Sequence, residues 1–276
     1  MVNHRKTTRK RSLASLADPY ELYERAVQEP EHEVRFFDRV FRKAYGRSPL
    51  VLREDFCGTA AVCCEWAKSK RSRRAMGVDI DSKPLAWGQK HNLVKLKPEA
   101  QQRVTFLQQD VRKVFGPKAD IVAAQNFSFF IFKTRTELRH YFRIARRNLG
   151  KQGMLMLDVM GGPEVITENH EDVRRIDGQF NYIWEQNRFD PITHDSRFYI
   201  HFRFKDGSVL KRAFRYDWRL WAIPEIRELL DEAGFARSDV YWEGTDSETD
   251  EGDGVYRARR HAPSDPAWVA YVVGVK

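Results

Sequence analysis

Between residues 49 and 159 the chain alternates short apolar runs with helical stretches, and this limits the fold more than any other feature. Residues 49–52, 75–80, 104–107, 121–124 and 154–159 are apolar and short, the length of strands. Residues 58–68, 83–94 and 136–149 lie between them and are read as helices. Strands joined through helices pair in parallel, and a parallel sheet needs cover on both faces. Ligands of such sheets gather beyond the carboxyl ends of the strands.

The flanks carry other signals. Two helices are expected first. The one at 19–27 has Asp18 as N-cap and Pro19 at its first position. The one at 31–45 places Val34, Phe37, Val40, Phe41 and Ala44 on one stripe and stops at Gly46. After Gly162, residues 180–189, 197–205 and 208–216 read as antiparallel strands, turned at Asp190-Pro191 and Asp206-Gly207. A helix at 223–233 stops at Gly234, and strands at 238–242 and 268–275 close the chain. The expectation is an α/β domain over 18–276. It has a seven-stranded, mostly parallel sheet with an antiparallel last strand. A small antiparallel insertion follows the fifth strand, at about 163–216.

Charge is unevenly placed. The formal net charge is +9, and Arg5, Lys6, Arg9, Lys10 and Arg11 crowd residues 1–12. Residues 1–17 are expected to form a solvated basic tail, with nucleic acid as its candidate partner. Residues 243–254 hold Asp246, Glu248, Asp250, Glu251 and Asp253 without an EF-hand pattern, which predicts a solvated loop. No run is long enough for a membrane span, and no apolar leader opens the chain. Cys57, Cys63 and Cys64 form neither a disulfide framework nor a zinc spacing, so a reducing, cytoplasmic setting is expected.

Four strand ends carry polar groups in order. Val51-Leu52-Arg53-Glu54-Asp55-Phe56-Cys57-Gly58-Thr59-Ala60 runs from strand through turn to helix. Gly58 lets a ligand approach the backbone, the helix N-terminus suits a carboxylate, and Glu54 suits an ammonium. Gly77-Val78-Asp79-Ile80-Asp81 ends in two acids; Asp81 fits a helix cap, which leaves Asp79 for the hydroxyls of a ribose. Asp110 follows the third strand, where it can accept from an exocyclic amine, and Val111 can pack on a ring. The fourth strand ends in Gln125 and Asn126, then Phe127, Phe129 and Phe130, at least one of which is core.

Together these positions resemble the class I, Rossmann-like S-adenosylmethionine-dependent methyltransferases. The resemblance covers about 50–159 and resumes at 223–276, where the ending looks like that family's closing hairpin. It implies a cofactor site of Glu54, Cys57, Gly58, Thr59, Asp79, Ile80, Asp110, Val111, Gln125 and Asn126. Phe56 and Ala60 stand where the family's loop usually has its first and third glycines. The resemblance also implies that the opening helix covers the cofactor, with Tyr20 and Tyr23 one turn apart.

The insertion looks like those of amine and sugar methyltransferases, which implies a small-molecule acceptor and transfer to nitrogen or oxygen. By alternation Tyr182, Trp184, Gln186 and Arg188 share one strand face, and Tyr199, His201 and Arg203 another; one of these lines the acceptor pocket. Asp158 and His201 are the candidate acid–base residues. Three other readings stay open. An RNA or protein methyltransferase is suggested by the basic balance, although Gln125-Asn126-Phe127-Ser128 replaces the Asn-Pro-Pro-aromatic signature. An inactive relative is suggested by the altered glycine loop. A nicotinamide dehydrogenase is disfavoured because Gly-x-Gly-x-x-Gly is absent.

Overall fold

The computed structural model describes residues 11–249 and 252–276. The basic residues Arg5, Lys6, Arg9 and Lys10 of the expected tail, and Asp250 and Glu251 of the acidic loop, lie outside the described residues. Among the described residues no helix is long and apolar enough to cross a membrane.

The chain opens with helices α1 (Leu13–Leu16), α2 (Pro19–Val27) and α3 (Pro30–Tyr45). Asp18 caps α2 through the amides of Tyr20 and Glu21, and Gly46, at φ +67°, ends α3 in the left-handed region. The α/β core follows: β1 (Val51–Asp55), α4 (Ala61–Ser69), β2 (Arg74–Asp79), α5 (Ser82–His91), α6 (Pro98–Gln101), β3 (Val104–Gln108), β4 (Ala119–Ala124), α7 (Arg135–Asn148) and β5 (Leu149–Gly161). The insertion holds β6 (His170–Ile176), β7 (Phe180–Phe189), β8 (Asp195–Phe204) and β9 (Val209–Arg219). The chain closes with α8 (Ile223–Glu232), β10 (Arg237–Thr245), β11 (Gly252–Arg259) and β12 (Trp268–Val275).

The central sheet has the order β11-β10-β12-β5-β4-β1-β2-β3. Strands β1 to β5 pair in parallel, and β12 runs antiparallel to both β5 and β10. Helices α7 and α8 pack Leu138, Phe142, Ile226 and Leu230 on one face; α3 and α4 pack Phe37, Phe41 and Trp66 on the other. Reversal of strand order beside β1 puts the switch point at the ends of β1 and β4.

Two strands depart from the sequence reading. The sheet has eight strands rather than seven, because β11 adds to its edge. The insertion has four, in the order β6-β7-β8-β9, rather than three. Both β6 and β11 are largely exposed on both faces, so neither shows the apolar alternation by which a half-buried strand is recognised. Part of the expected tail is helical instead: Leu13–Leu16 forms α1, whose Leu13 and Ala14 amides donate to Asp206 and Ser208 of the β8–β9 turn.

Candidate active site

The loop after β1 is held by two carboxylates. Glu54 is buried, and its Oε2 accepts the amide of Cys63 at 3.1 Å. Burial lifts its pKa to about 7. Asp79, at the end of the neighbouring strand, accepts the Gly58 amide at 2.8 Å and the Asp81 amide at 2.9 Å. Asp81 caps α5 through Lys83 N, as its position suggested. Glu54 pairs with Gly77, so Asp79 stands two residues further along the neighbouring strand.

The loop takes the shape that glycines would permit, although two are missing. Phe56, Gly58 and Ala60 have φ of +59°, +52° and +56°. For the two L-residues this costs roughly 1–2 kcal/mol each. The Phe56 ring offsets part of it by packing on Phe132 and Tyr141. Space over Gly58 is open, with no atom within 4 Å of where a Cβ would stand. A ligand can therefore reach the backbone there.

Tyr20 joins this group from α2. Its ring packs on Trp87, 5.9 Å between centroids, and its pKa is raised by burial and then by Asp81, Asp18 and Asp79. Ile80 is 71% exposed at the rim of β2. Asp110 stands beyond β3 but is already bound by Arg112 through Nε and Nη2, which holds its carboxyl below the usual range.

Four expected cofactor contacts are turned inward. Cys57 is buried under the loop. The Thr59 hydroxyl donates to Glu24 of α2. Val111 lies in the core, its carbonyl held by Arg53, which also pairs with buried Asp55. Gln125 is buried and donates to Met156 O at 3.2 Å, which leaves its Oε1 without a partner.

Next to these strand ends, between the central sheet and the insertion, lies a cavity of about 740 Å³. Asn126, Phe127 and Asp158 form its floor. Asp158 accepts the Asn126 and Phe127 amides at 2.7 and 2.9 Å through separate oxygens, fixing two residues that both have φ of +56°. Burial lifts the Asp158 carboxyl to about 7.

Tyr182, Trp184 and Gln186 of β7 face this cavity, whereas Arg188 does not. On β8 the inward face is that of Ile200, so the neighbouring His201 is turned away. His201 is instead bound by Glu185 at 2.7 Å through Nε2 and by the Arg212 amide through Nδ1, and it does not line the cavity. The expected role of His201 as a base has no geometric support.

The sequence reading missed Glu33, Glu243, Tyr256, Trp268 and Tyr271, all of which line the cavity. Glu33 is 7% exposed, and its Oε2 has no hydrogen-bond partner. It sits one turn before Phe37 on the apolar stripe of α3, and an acid on such a stripe was the available signal.

Helix α2 ties the two regions together. Glu24 accepts from Thr59 and from Asn92 Nδ2 at the β1 loop. Leu22 and Ala26 pack against Phe180, Tyr182 and Phe202 of the insertion.

No family model and no curated protein matches the sequence. Solved structures do match. The amino-pentose methyltransferase CalS10 of Micromonospora echinaspora, solved with S-adenosylmethionine bound, is similar at a TM-score of 0.64 and 17% identity, over 94% of this chain and 97% of that one. DesVI of Streptomyces venezuelae is similar at 0.67 and 20% identity, over 94% and 98%. The sugar N-methyltransferase KedS8 of Streptoalloteichus sp ATCC 53650 is similar at 0.62 and 18% identity, over 100% and 98%. The fold is thus shared along nearly the whole chain, which has the Rossmann-like fold of the S-adenosylmethionine-dependent methyltransferases.

Proposed function

We propose that this chain is a methyltransferase that uses S-adenosylmethionine and acts on a small-molecule amine. One observation carries the reading: a cavity walled by aromatic rings and by carboxylates that cations do not balance opens beyond β4 and β5, and Glu54 at the end of β1 acts on its Glu33. Carboxylates in a half-closed space are costly unless a cation joins them. A protonated amine supplies that cation, and an alcohol does not.

The residues suit the cofactor. Glu54 would take its ammonium, the open backbone at Gly58 its methionine portion, and Asp79 its ribose hydroxyls. Ile80 and Asp110 would flank the base, and Tyr20 would cover the ribose side. When bound, S-adenosylmethionine supplies a methyl made electrophilic by its sulfonium. The chain's own work is to exclude water, to orient the amine and to take up its proton. Asp158 and Glu33 stand at the cavity floor for that last task.

The domain is assigned to residues 18–276 with the insertion at about 163–216, and the buried free thiols support a reducing, cytoplasmic setting. A second reading, an RNA methyltransferase, is favoured by the groove between α3 and α4, where Arg35, Arg42, Lys43, Lys70 and Arg73 surround Asp38. RNA binding that weakens steeply with salt would support it. Calorimetric titration with S-adenosylmethionine tests the leading reading: micromolar binding is expected, and no heat at millimolar cofactor refutes it.

A further inference from the structure

The cavity is more acidic than the transfer of one methyl requires. Glu29, Glu33, Asp158, Glu164, Asp172 and Glu243 line it, and Arg174 is its one arginine or lysine among the described residues. Arg174 is engaged, with its Nη2 donating to Ala26 O and its guanidinium over the Tyr182 ring.

These acids fall into two groups by depth. Glu33 and Asp158 are 7% and 8% exposed. The groups acting on Glu33 are Glu54 of β1, Asp158 of β5 and Glu29, which precedes α3, and it acts in turn on the hydroxyls of Tyr23 and Tyr271. No cation is among them, and burial is the first cause of its raised pKa. Glu29, Glu164 and Asp172 are exposed and Glu243 is half-buried, so these form the rim. The cavity wall also carries the rings of Trp184, Tyr216, Trp218, Tyr256 and Trp268, and aromatic faces attract alkylammonium groups.

We propose that the acceptor is a polycation with at least two ammonium groups: one is held at Glu33 and Asp158 and methylated, while another is held by the rim carboxylates. This rests on the methyltransferase reading above. A nucleoside-diphosphate sugar is disfavoured, because its phosphates would lie among like charges. The reacting ammonium gives a proton to the Glu33 carboxylate. Its freed lone pair forms the N–C bond as the C–S bond breaks, and that electron pair stays on sulfur. The proton then leaves Glu33 for solvent.

Calorimetry on the full chain tests this with spermidine, the aminoglycoside neamine, glucosamine and UDP-glucosamine. Spermidine and neamine separate a flexible polyamine from an aminocyclitol. At two- to fivefold per rim charge, at least one of them should bind about tenfold more tightly than singly charged glucosamine. Glu29→Gln with Glu243→Gln should cut that preference about tenfold, and Glu228→Gln on α8 should leave it unchanged. Turnover with S-adenosylmethionine should follow the same order. Equal binding of glucosamine, tighter binding of UDP-glucosamine, or no binding of either polycation overturns the proposal. Loss of S-adenosylmethionine binding, titrated alone, would instead count against the methyltransferase reading.

Discussion

Asp158→Asn separates a hydrogen-bonding role from an ionisation cost. Burial moves the carboxyl from its ordinary value of 3.8 to about 7. The folded state thus holds this proton more tightly than the unfolded state. Between those two pH values stability therefore falls as pH rises, and the loss is complete above about pH 7. At ~1.4 kcal/mol per pH unit the full cost is about 4 kcal/mol. Roughly 3 kcal/mol of it develops between pH 5 and pH 9. Asparagine does not ionise and escapes this loss. Its amide nitrogen, however, meets one of the two N–H donors at Asn126 and Phe127, leaving that donor unpaired at ~1–3 kcal/mol at any pH. Parent and variant should then lie within about 1 kcal/mol of each other at pH 5, and the variant should be more stable by about 2 kcal/mol at pH 9. Urea unfolding followed by tryptophan fluorescence at both pH values measures this. Glu33 and Glu54 titrate in both proteins, so most of their contribution cancels. A stability difference that does not move between pH 5 and pH 9 would refute the reasoning.

Three further outcomes are expected. Asp79→Ala removes an acceptor of charged hydrogen bonds and should raise the Kd for S-adenosylmethionine roughly 10- to 100-fold by calorimetry; an unchanged Kd would remove Asp79 from the site. Gly88→Ala would put a Cβ 2.1 Å from Thr59 O, a backbone atom, so α5 must shift. That should cost ~1–3 kcal/mol, seen as a melting temperature several degrees lower; an unchanged melting temperature would count against this packing. His201→Gln should change kcat less than about twofold, since His201 is paired with Glu185 on the face away from the cavity; a hundredfold loss would restore it as a base.

Much of this was legible because strand ends are legible. Glu54, Asp79 and Asp110 each follow an apolar run, and the capping role of Asp81 followed from the proline near the start of the helix after it. Alternation also separated the two faces of β7 and β8, but it carries no sign saying which face turns inward. The packing of Ile200 and Phe202 against α2 decides that, and it sends His201 outward. Strands β6 and β11 were hidden because water on both faces removes the pattern. The inward turn of Val111 and Gln125 depends on Arg53 and on the β5 backbone, partners far along the chain. Glu33 was passed over because a helix stripe is scored by its apolar members, and its single acid reads as a blemish.

Helix α2 has two clients. Its Glu24 braces the loop after β1, while its Leu22 and Ala26 pack behind Tyr182 of the cavity wall. Nine residues of regular helix move as a unit, so an adjustment at one end is felt at the other. Occupancy of either compartment should therefore improve the fit of its neighbour, and thermodynamics makes that help mutual. Spermidine affinity measured with and without S-adenosylhomocysteine would show it, and equal affinities would mean that the helix couples nothing.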